Sequence, residues 1–573
     1  MEKLTGANQL LKNVVCLTET PVIYKRVEFE MEMPKLPVGY NPFYEKDVAL
    51  DIVLTSKAGT TFKVPGFCFQ AYDYDTNGTQ IGRAKTAPTF RIRVSLPEAG
   101  EWDYTITMVI RDIGEDSVSG SLLVADSEDK RGFIRVEPNR KQNFMFDDGT
   151  PYIAVGENMA WAEPVSPKSR HSAIYKKLLT KCAAEKANYF RLWSSSFAMC
   201  MQDKQLDPSY MNLADCDQYD RIVEISEELG LYINFAMYHH GQFSRREVLP
   251  EHDYHNSAYN MNNEGYLDDP RDFFTNPRAK RDTKSYMRYL VARWGYSPNI
   301  FCWEFFNEQD GCDAGTNLNP KNQALMVEWH QEMCDHFREI DPYHHLLTTS
   351  SAWYSNSVIR HAMFDFISIH VYNYQSLELA ADLQKNDYRT YHRPVLMAEI
   401  GMNGGPDYVG PNCGTDKLEL HQQHWICVMG GGAGTGASWF WPQVDRTNAY
   451  DTFRAVAEMA ERIPWRNPEL KMCDKLTVPT NHLKVLSQGY QLDNSAWLWF
   501  YDTEYRHNNR HNIAVRENVS FTVDLNDGEY VVTWIDPWSG DTLATETAVA
   551  KEGVLNVGMP AWQKDIAVTV LPK

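Results

Sequence analysis

From about Gly132 to Pro464, strand-like apolar runs take turns with amphipathic helical stretches, and this alternation constrains the fold more than any other feature. The strand-like runs fall at 152–157, 189–193, 231–238, 300–305, 346–349, 366–370, 395–398 and 436–441. Helical periodicity marks 172–186, 219–229, 280–294, 321–340 and 418–428. Apolar residues recurring every three or four positions share a face only in a helix, whereas short β-branched and aromatic runs suit buried strands. Parallel neighbours need a crossover between them, and eight strand–crossover units predict a central (β/α)8 TIM barrel. A doubly wound parallel sheet is the alternative.

The flanks read differently. Residues up to about Asp126 form short alternating runs at 22–30, 48–55, 89–95 and 102–110, with turns at Asn77-Gly78 and Ala99-Gly100. This pattern predicts an antiparallel β-sandwich. A charged stretch at 127–131 serves as linker, and Gly149 closes a hairpin. After Pro464, runs at 496–501, 513–515, 520–524, 530–536 and 566–571 predict a second β-sandwich. A chain of 573 residues is too long for one hydrophobic core. The expected division is 1–128, 129–468 and 469–573.

Composition excludes several partners. With 56 Lys and Arg against 76 Asp and Glu, the net charge of −20 disfavours nucleic acid and anionic membrane surfaces. The 11 cysteines are scattered, with no C-x-x-C pair, so neither a disulfide framework nor a zinc ribbon is expected. Lys12 and Asn13 interrupt the N-terminal apolar residues, which implies a cytoplasmic protein; a chain whose signal had been removed would read the same. Gly432 to Ala437 matches G-x-G-x-x-A but precedes a strand-like run, where a dinucleotide fingerprint must open a helix. The first strand carries no His-x-His, and H-E-x-x-H and EF-hand patterns are missing, so no metal and no cofactor are expected. Asn77 and Asn518 begin formal glycosylation acceptors.

Barrel active sites lie at the C-terminal ends of the strands. The fourth strand ends Trp303-Glu304-Phe305-Phe306-Asn307-Glu308, and the seventh ends Ala398-Glu399-Ile400-Gly401. Closure of the barrel faces Glu308 and Glu399 across its mouth. Two facing carboxylates, one protonated and one ionised, are what glycosidic bond cleavage requires. Period-two alternation puts Trp439 and Trp441 on one face of the eighth strand, with either ring a candidate to face the pocket. His239 and His240 end the third strand, His240 being slightly preferred. Trp161 and Trp353 read as core packing rather than site residues.

With these residues in place, the barrel resembles the clan-A glycoside hydrolases. In that clan the acid/base glutamate follows Asn at the end of the fourth strand, and the nucleophile ends the seventh. The resemblance implies Glu308 as acid/base, Glu399 as nucleophile and Asn307 as partner of the sugar 2-hydroxyl. It likewise implies Arg191 as the cation that keeps the nucleophile ionised, Tyr372 as its hydrogen-bond donor, and His240, His370, Trp439 and Trp441 as substrate contacts. The stretch 24–108, with Asn41-Pro42-Phe43, Pro65-Gly66-Phe67 and Gly100-Glu101-Trp102, is similar to a sandwich domain preceding barrels in bacterial glycan-degrading enzymes. Residues 260–265 and 292–296 extend that likeness, without the proline and second glycine found in relatives' loops. The resemblance implies a retaining hydrolase of β-linked oligo- or polysaccharides. A catalytically inactive carbohydrate-binding barrel and a transglycosylase with the same covalent intermediate are the alternatives. The partner is a carbohydrate substrate, and the flanking sandwiches would wall off its pocket directly or through a homo-oligomer.

Overall fold

The computed structural model describes residues 3–74, 81–162, 171–245, 252–315, 320–372, 376–401, 417–473, 478–506, 509, 511 and 513–573. Asn77-Gly78-Thr79 and Cys413 lie outside them. The ten described cysteines are free thiols, nine of them buried. Among the described residues no helix is long and apolar enough to cross a membrane.

The N-terminal domain is β-rich, built from two four-stranded antiparallel sheets. One orders Val15–Cys16, Val27–Glu32, Thr89–Val94 and Phe67–Phe69; the other orders Gly114–Val124, Gly100–Ile110, Val48–Ser56 and Thr61–Pro65. Alternate residues of Val48–Ser56 point inward, so Leu50, Ile52 and Leu54 share one core with Ile92, Trp102 and Ile106. The C-terminal region holds a six-stranded sheet and the two-stranded pair Ser520–Asp524 and Val554–Gly558, which also share a core. Residues 513–515, expected as a strand, form none; Arg516 makes a single bridge to Trp562 and turns its side chain to Asp502 and Glu504.

Between these regions lies a parallel α/β domain. Five strands, Gly156–Asn158, Tyr189–Trp193, Tyr232–His239, Ile300–Asn307 and Leu346–Thr348, pair in sequence order, all parallel. Ile367–Tyr372 and Val395–Gly401 form a second parallel pair. The two groups meet where the Asp365 N–H donates to the Leu347 carbonyl at 2.9 Å. The ring is completed through single parallel bridges, Ala154 to Gly434 and Ile400 to Ser438. Asn158 Nδ2 ties the first strand across to the carbonyls of Ala398 and Ala437, at 2.8 and 3.0 Å. Glycine permits this approach, since a Cβ at Gly434 would lie 2.3 Å from the Ala154 carbonyl oxygen.

The helices cover this ring for local reasons. Asn212 caps Leu213–Leu229 by accepting two backbone N–H groups, and left-handed Gly230 ends it. Asn276 caps Pro277–Trp294 in the same way, with proline in the first turn where its missing N–H costs nothing. A three-stranded antiparallel plug, Ile134–Val136, Phe144–Phe146 and Pro151–Tyr152, packs its aromatic residues against Phe301 and Phe366. Gly149, at φ 88°, closes its second hairpin.

The eighth strand differs from the expected 436–441. No continuous strand forms there, and Trp441–Thr447 is a helix with Pro442 in its first turn. Proline fixes φ near the helical value and removes a ladder donor, so it ends extended structure at this point. Trp439 and Trp441 therefore do not alternate along one strand face.

Candidate active site

Arg191 sits mid-strand, in register with Asn158 on one side and Asn234 on the other. Its guanidinium is fully buried. Nε and Nη2 donate to both oxygens of Glu304 at 2.7 Å each, the parallel fork geometry that makes Arg–carboxylate pairs strong. Nη1 donates to Glu399 Oε1 at 2.7 Å, and Nη2 to Asn307 Oδ1 at 2.8 Å. Burial alone would strip its proton, but Glu304 and then Glu399 hold it, and the group stays charged.

Glu399 is clamped on both oxygens. Oε1 accepts from Arg191, and Oε2 accepts from the Tyr372 hydroxyl at 2.5 Å. A register shift between Ile369 and His370, with Ala398 of the seventh strand as the extra residue, sets His370 opposite Glu399. Burial raises the Glu399 carboxyl above its ordinary value; His370 and Arg191 oppose that rise, and Glu308 adds to it.

Glu308 is held otherwise. Its backbone is left-handed, φ 53° and ψ 61°, a conformation that costs a non-glycine residue about 1 kcal/mol or more and collects at functional sites. The turn ends the fourth strand at Asn307 and starts the short 3-10 segment Gln309–Gly311. Ser350 Oγ accepts the Glu308 N–H at 3.0 Å and holds this turn in place. His370 Nδ1 shares a hydrogen bond with Glu308 Oε1 at 2.9 Å, and His240 Nδ1 lies 3.5 Å from Oε2. Among the described residues no guanidinium touches this carboxyl. Burial first, then the charge of Asp310, push Glu308 up to about 8, so it keeps its proton at neutral pH. Burial lowers His370 to about 4, leaving a neutral imidazole between the two glutamates.

One oxygen of Glu308, one oxygen of Glu399 and a ring nitrogen of His370 lie within 4.8 Å of one another. Two carboxylates and an imidazole could hold a divalent cation by distance alone. Both Glu399 oxygens already accept short hydrogen bonds, however, and the Arg191 charge abuts the cluster. A bound cation would have to displace the one and face the other.

The remaining residues divide. Asn307 Nδ2 reaches His240 Nδ1 at 3.2 Å, so His240 adjoins the carboxylates, while His239 contacts Ser196 at 2.9 Å and stacks on Trp193. Trp439 is half-buried and packs against Trp193 at 5.0 Å, whereas Trp441 is buried beneath Trp161. Trp439 thus keeps exposed ring surface beside the site. Trp161 joins that aromatic cluster half-buried, but Trp353, expected in a core, is 55 % exposed.

Glu304, Asn158, Ser350 and Asp310 belong to the site but were not singled out from the sequence. Glu304 did carry a signal: a charge in the middle of an apolar strand needs a buried cation, and Arg191 is the matching charge two strands away. Asp310 and Ser350 carry none, because their roles depend on which loop lies beside the Glu308 turn.

A parallel α/β domain with one carboxylate after Asn at the end of its fourth strand, and another ending its seventh, is the arrangement of the clan-A glycoside hydrolases, which the central domain resembles. More particularly, residues 149–407 match the family model Cellulase (glycosyl hydrolase family 5), and residues 21–109 match a separate domain of unknown function, DUF5060. The chain is 29% identical over 140 residues to "Probable mannan endo-1,4-beta-mannosidase C" of Aspergillus terreus, covering 23% of this chain and 31% of that protein. It is 22% identical over 246 residues to mannan endo-1,4-beta-mannosidase 1 of Arabidopsis thaliana, covering 39% of this chain and 54% of the relative. The chain thus spans about half or less of these curated relatives. Among solved structures, a candidate glycoside hydrolase from Bacteroides vulgatus ATCC 8482 superposes with a TM-score of 0.65 at 16% identity, over 97% of this chain and 100% of that one. At such identity the likeness is one of fold.

Proposed function

We propose that this protein is a retaining glycoside hydrolase acting on β-linked oligo- or polysaccharides, with the catalytic pair at the mouth of a (β/α)8 barrel spanning 129–468. The flanking regions, 1–128 and 469–573, are β-sandwiches in this reading. The observation that carries it is the asymmetry of the two glutamates. Glu399 bears a guanidinium at 2.7 Å, Glu308 bears none among the described residues, and Glu308 is raised to about 8. One proton shared between them therefore resides on Glu308.

In the first step a Glu399 oxygen bonds to the anomeric carbon as the bond to the leaving oxygen breaks. Glu308 gives its proton to that oxygen. In the second step Glu308, now ionised, takes a proton from water, whose oxygen replaces Glu399 at the anomeric carbon. An oxygen–oxygen approach within 4.8 Å favours direct attack over the inverting alternative, which needs carboxyl groups about 6.5–9.5 Å apart to admit water. In this reading Asn307, which accepts from Arg191, binds a sugar hydroxyl, and Trp439 covers a sugar face. The names of the relatives make β-1,4-linked mannan the first substrate to try.

The test is hydrolysis of β-linked oligosaccharides and dinitrophenyl β-glycosides by wild type, Glu308→Ala and Glu399→Ala. Loss of the nucleophile should cost about 10⁴-fold or more on every substrate. Loss of the acid should cost about 10²- to 10⁴-fold on oligosaccharides, and much less on the dinitrophenyl compounds, whose leaving group needs no proton. Activity surviving in both variants would assign the reaction to other carboxylates.

A further inference from the structure

The six-stranded C-terminal sheet ends on Asp565–Pro572, then Gly528–Ile535, then Thr542–Ala550 at its edge. That last strand pairs with Gly528–Ile535 on one side, and among the described residues no backbone ladder covers its other side. Thr542 to Thr547 and Val549 are all exposed, on both faces of the sheet, and Leu543 and Val549 leave about half of their apolar surface in water. A bare edge offers unpaired N–H and C=O groups to any strand that fits, so edges are normally short, covered, or interrupted by Lys or Pro. The other edges of the four- and six-stranded antiparallel sheets follow that rule. Val15–Cys16, Phe67–Phe69 and Lys471–Cys473 are two or three residues long, and Thr61–Pro65 carries Lys63 and ends on proline. The long edge Gly114–Val124 is fastened to the N-terminal segment, from which Asn8 Nδ2 donates to the Glu115 carbonyl at 2.7 Å and the Leu10 N–H to Asp116 at 2.9 Å. Thr542–Ala550 has nine residues, no Lys and no Pro.

The sequence of this strand says what fits it. Thr545 and Thr547 mirror each other about Glu546, Ala544 mirrors Ala548, and Leu543 stands opposite Val549 in kind. When two identical strands pair antiparallel about a two-fold axis, the residue on the axis faces itself and every other residue faces its mirror image. With Glu546 on the axis, Leu543 would meet Val549 and Thr545 would meet Thr547 on one face, while Ala544 met Ala548 on the other. Apolar then faces apolar, hydroxyl faces hydroxyl, and small faces small, the pairings that stabilise antiparallel strands. Only Glu546 opposes its own copy, and like charges directly opposite repel. Trp534 on the neighbouring strand eases this, because its Nε1 donates to Glu546 Oε1 at 2.9 Å and draws the carboxylate inward, away from the edge. We propose that Thr542–Ala550 is the interface with a second copy of this chain, the two C-terminal sheets joining into one continuous antiparallel sheet about a two-fold axis at Glu546. A single strand edge covers less than the about 800 Å² per partner of a standard interface, so the dimer is weak, with a Kd in the micromolar range.

Sedimentation velocity of the whole chain, at concentrations up to about 200 μM, should show a monomer–dimer equilibrium. Thr545→Lys combined with Thr547→Lys sets cations against cations and should weaken association about tenfold or more, whereas Glu546→Gln removes the one repulsive pair and should tighten it about threefold. All three side chains are exposed, so the variants should keep the fold, which circular dichroism can check. Cysteine cross-linking reads the register. Glu546→Cys would face its own copy with Cα atoms about 4.5–5.5 Å apart, a separation that a disulfide accepts, so mild oxidation should give a covalent dimer. Leu543→Cys faces Val549 instead and should stay uncrosslinked, and wild type oxidised in parallel gives the background from the native thiols. A monomer at every concentration would overturn the interface. So would a dimer indifferent to the paired lysines, weaker association of the glutamine variant, or cross-linking of Leu543→Cys as readily as of Glu546→Cys.

Discussion

Arg191 and Arg293 are both fully buried, and each grips a carboxylate through two N–H donors, yet their surroundings differ in charge count. Arg293 binds Asp220 at 3.0 and 2.6 Å, and Arg93 from the N-terminal sheet binds the same carboxylate at 2.7 and 3.2 Å. Trp294 adds a further N–H at 2.9 Å, and Glu28 balances Arg93. Burial alone would raise the Asp220 carboxyl, but Arg293 and Arg93 together hold it well below the ordinary carboxylate range. Cations and anions match there, nothing is left over, and the cluster fastens the N-terminal domain to two helices of the central one. Around Arg191 the balance fails. Glu304 and Glu399 share one guanidinium, Glu308 lies close by outside its reach, and this surplus carboxyl keeps its proton. The same fork of hydrogen bonds makes a lock where charges balance, and a proton donor where acids outnumber bases.

The difference can be broken at its balanced end first. Asp220→Ala leaves the buried Arg293 guanidinium without its anion, facing Arg93 whose remaining partner is Glu28, and should destabilise the fold by about 3–5 kcal/mol. Thermal unfolding would measure this, while kcat of the folded fraction stays near wild type because Asp220 touches no site residue. A comparable loss of kcat would mean that the interface reaches the active site.

Arg-to-Lys exchange at both centres sharpens the contrast. Lysine keeps the charge but cannot fork across two oxygens. Arg293→Lys should lower stability by about 1–3 kcal/mol, with kcat little changed. Arg191→Lys should lower kcat by about 10²-fold as well, because Glu399 and Asn307 lose their shared anchor. Equal kinetic behaviour of the two variants would erase the distinction.

The smallest effect concerns the surplus proton itself. Glu308 must be protonated to act, so kcat/KM should fall as pH rises through about 8. Glu399 must be ionised, and burial raises it, so the acid limb should lie above the ordinary carboxylate value of 4.5. Asp310→Asn removes a negative charge that raises Glu308 and should move the alkaline limb to lower pH. An alkaline limb that stays in place would detach Asp310 from Glu308 electrostatics.

Much of this was legible in the residues. Glu308 and Glu399 stand at strand ends, where a parallel α/β ring gathers its side chains, and Arg191 and Tyr372 occupy the positions from which they reach Glu399. His240 was preferred over His239, and it is His240 that adjoins Asn307. Trp353 was misread, because apolarity alone predicts burial and says nothing of a loop whose backbone is anchored while its ring is left outside. The Trp439–Trp441 alternation was misread because Pro442 starts a helix within a run whose aromatic content suits a strand.

Sequence alone therefore determined the order of elements, the residue types at strand ends and the surplus of carboxylates. These follow from periodicity and from charges within a few residues of one another. Tertiary structure decided which of those charges meet. Arg191 and Glu399 are 2.7 Å apart although some two hundred residues separate them, and only closure of the parallel ring brings them together. The left-handed turn at Glu308, the pairing of Arg191 with Glu304 and the anchoring of Trp353 to Asp310 share that origin. Each depends on what a distant segment places beside it, and in a buried site the neighbour decides which group keeps its proton.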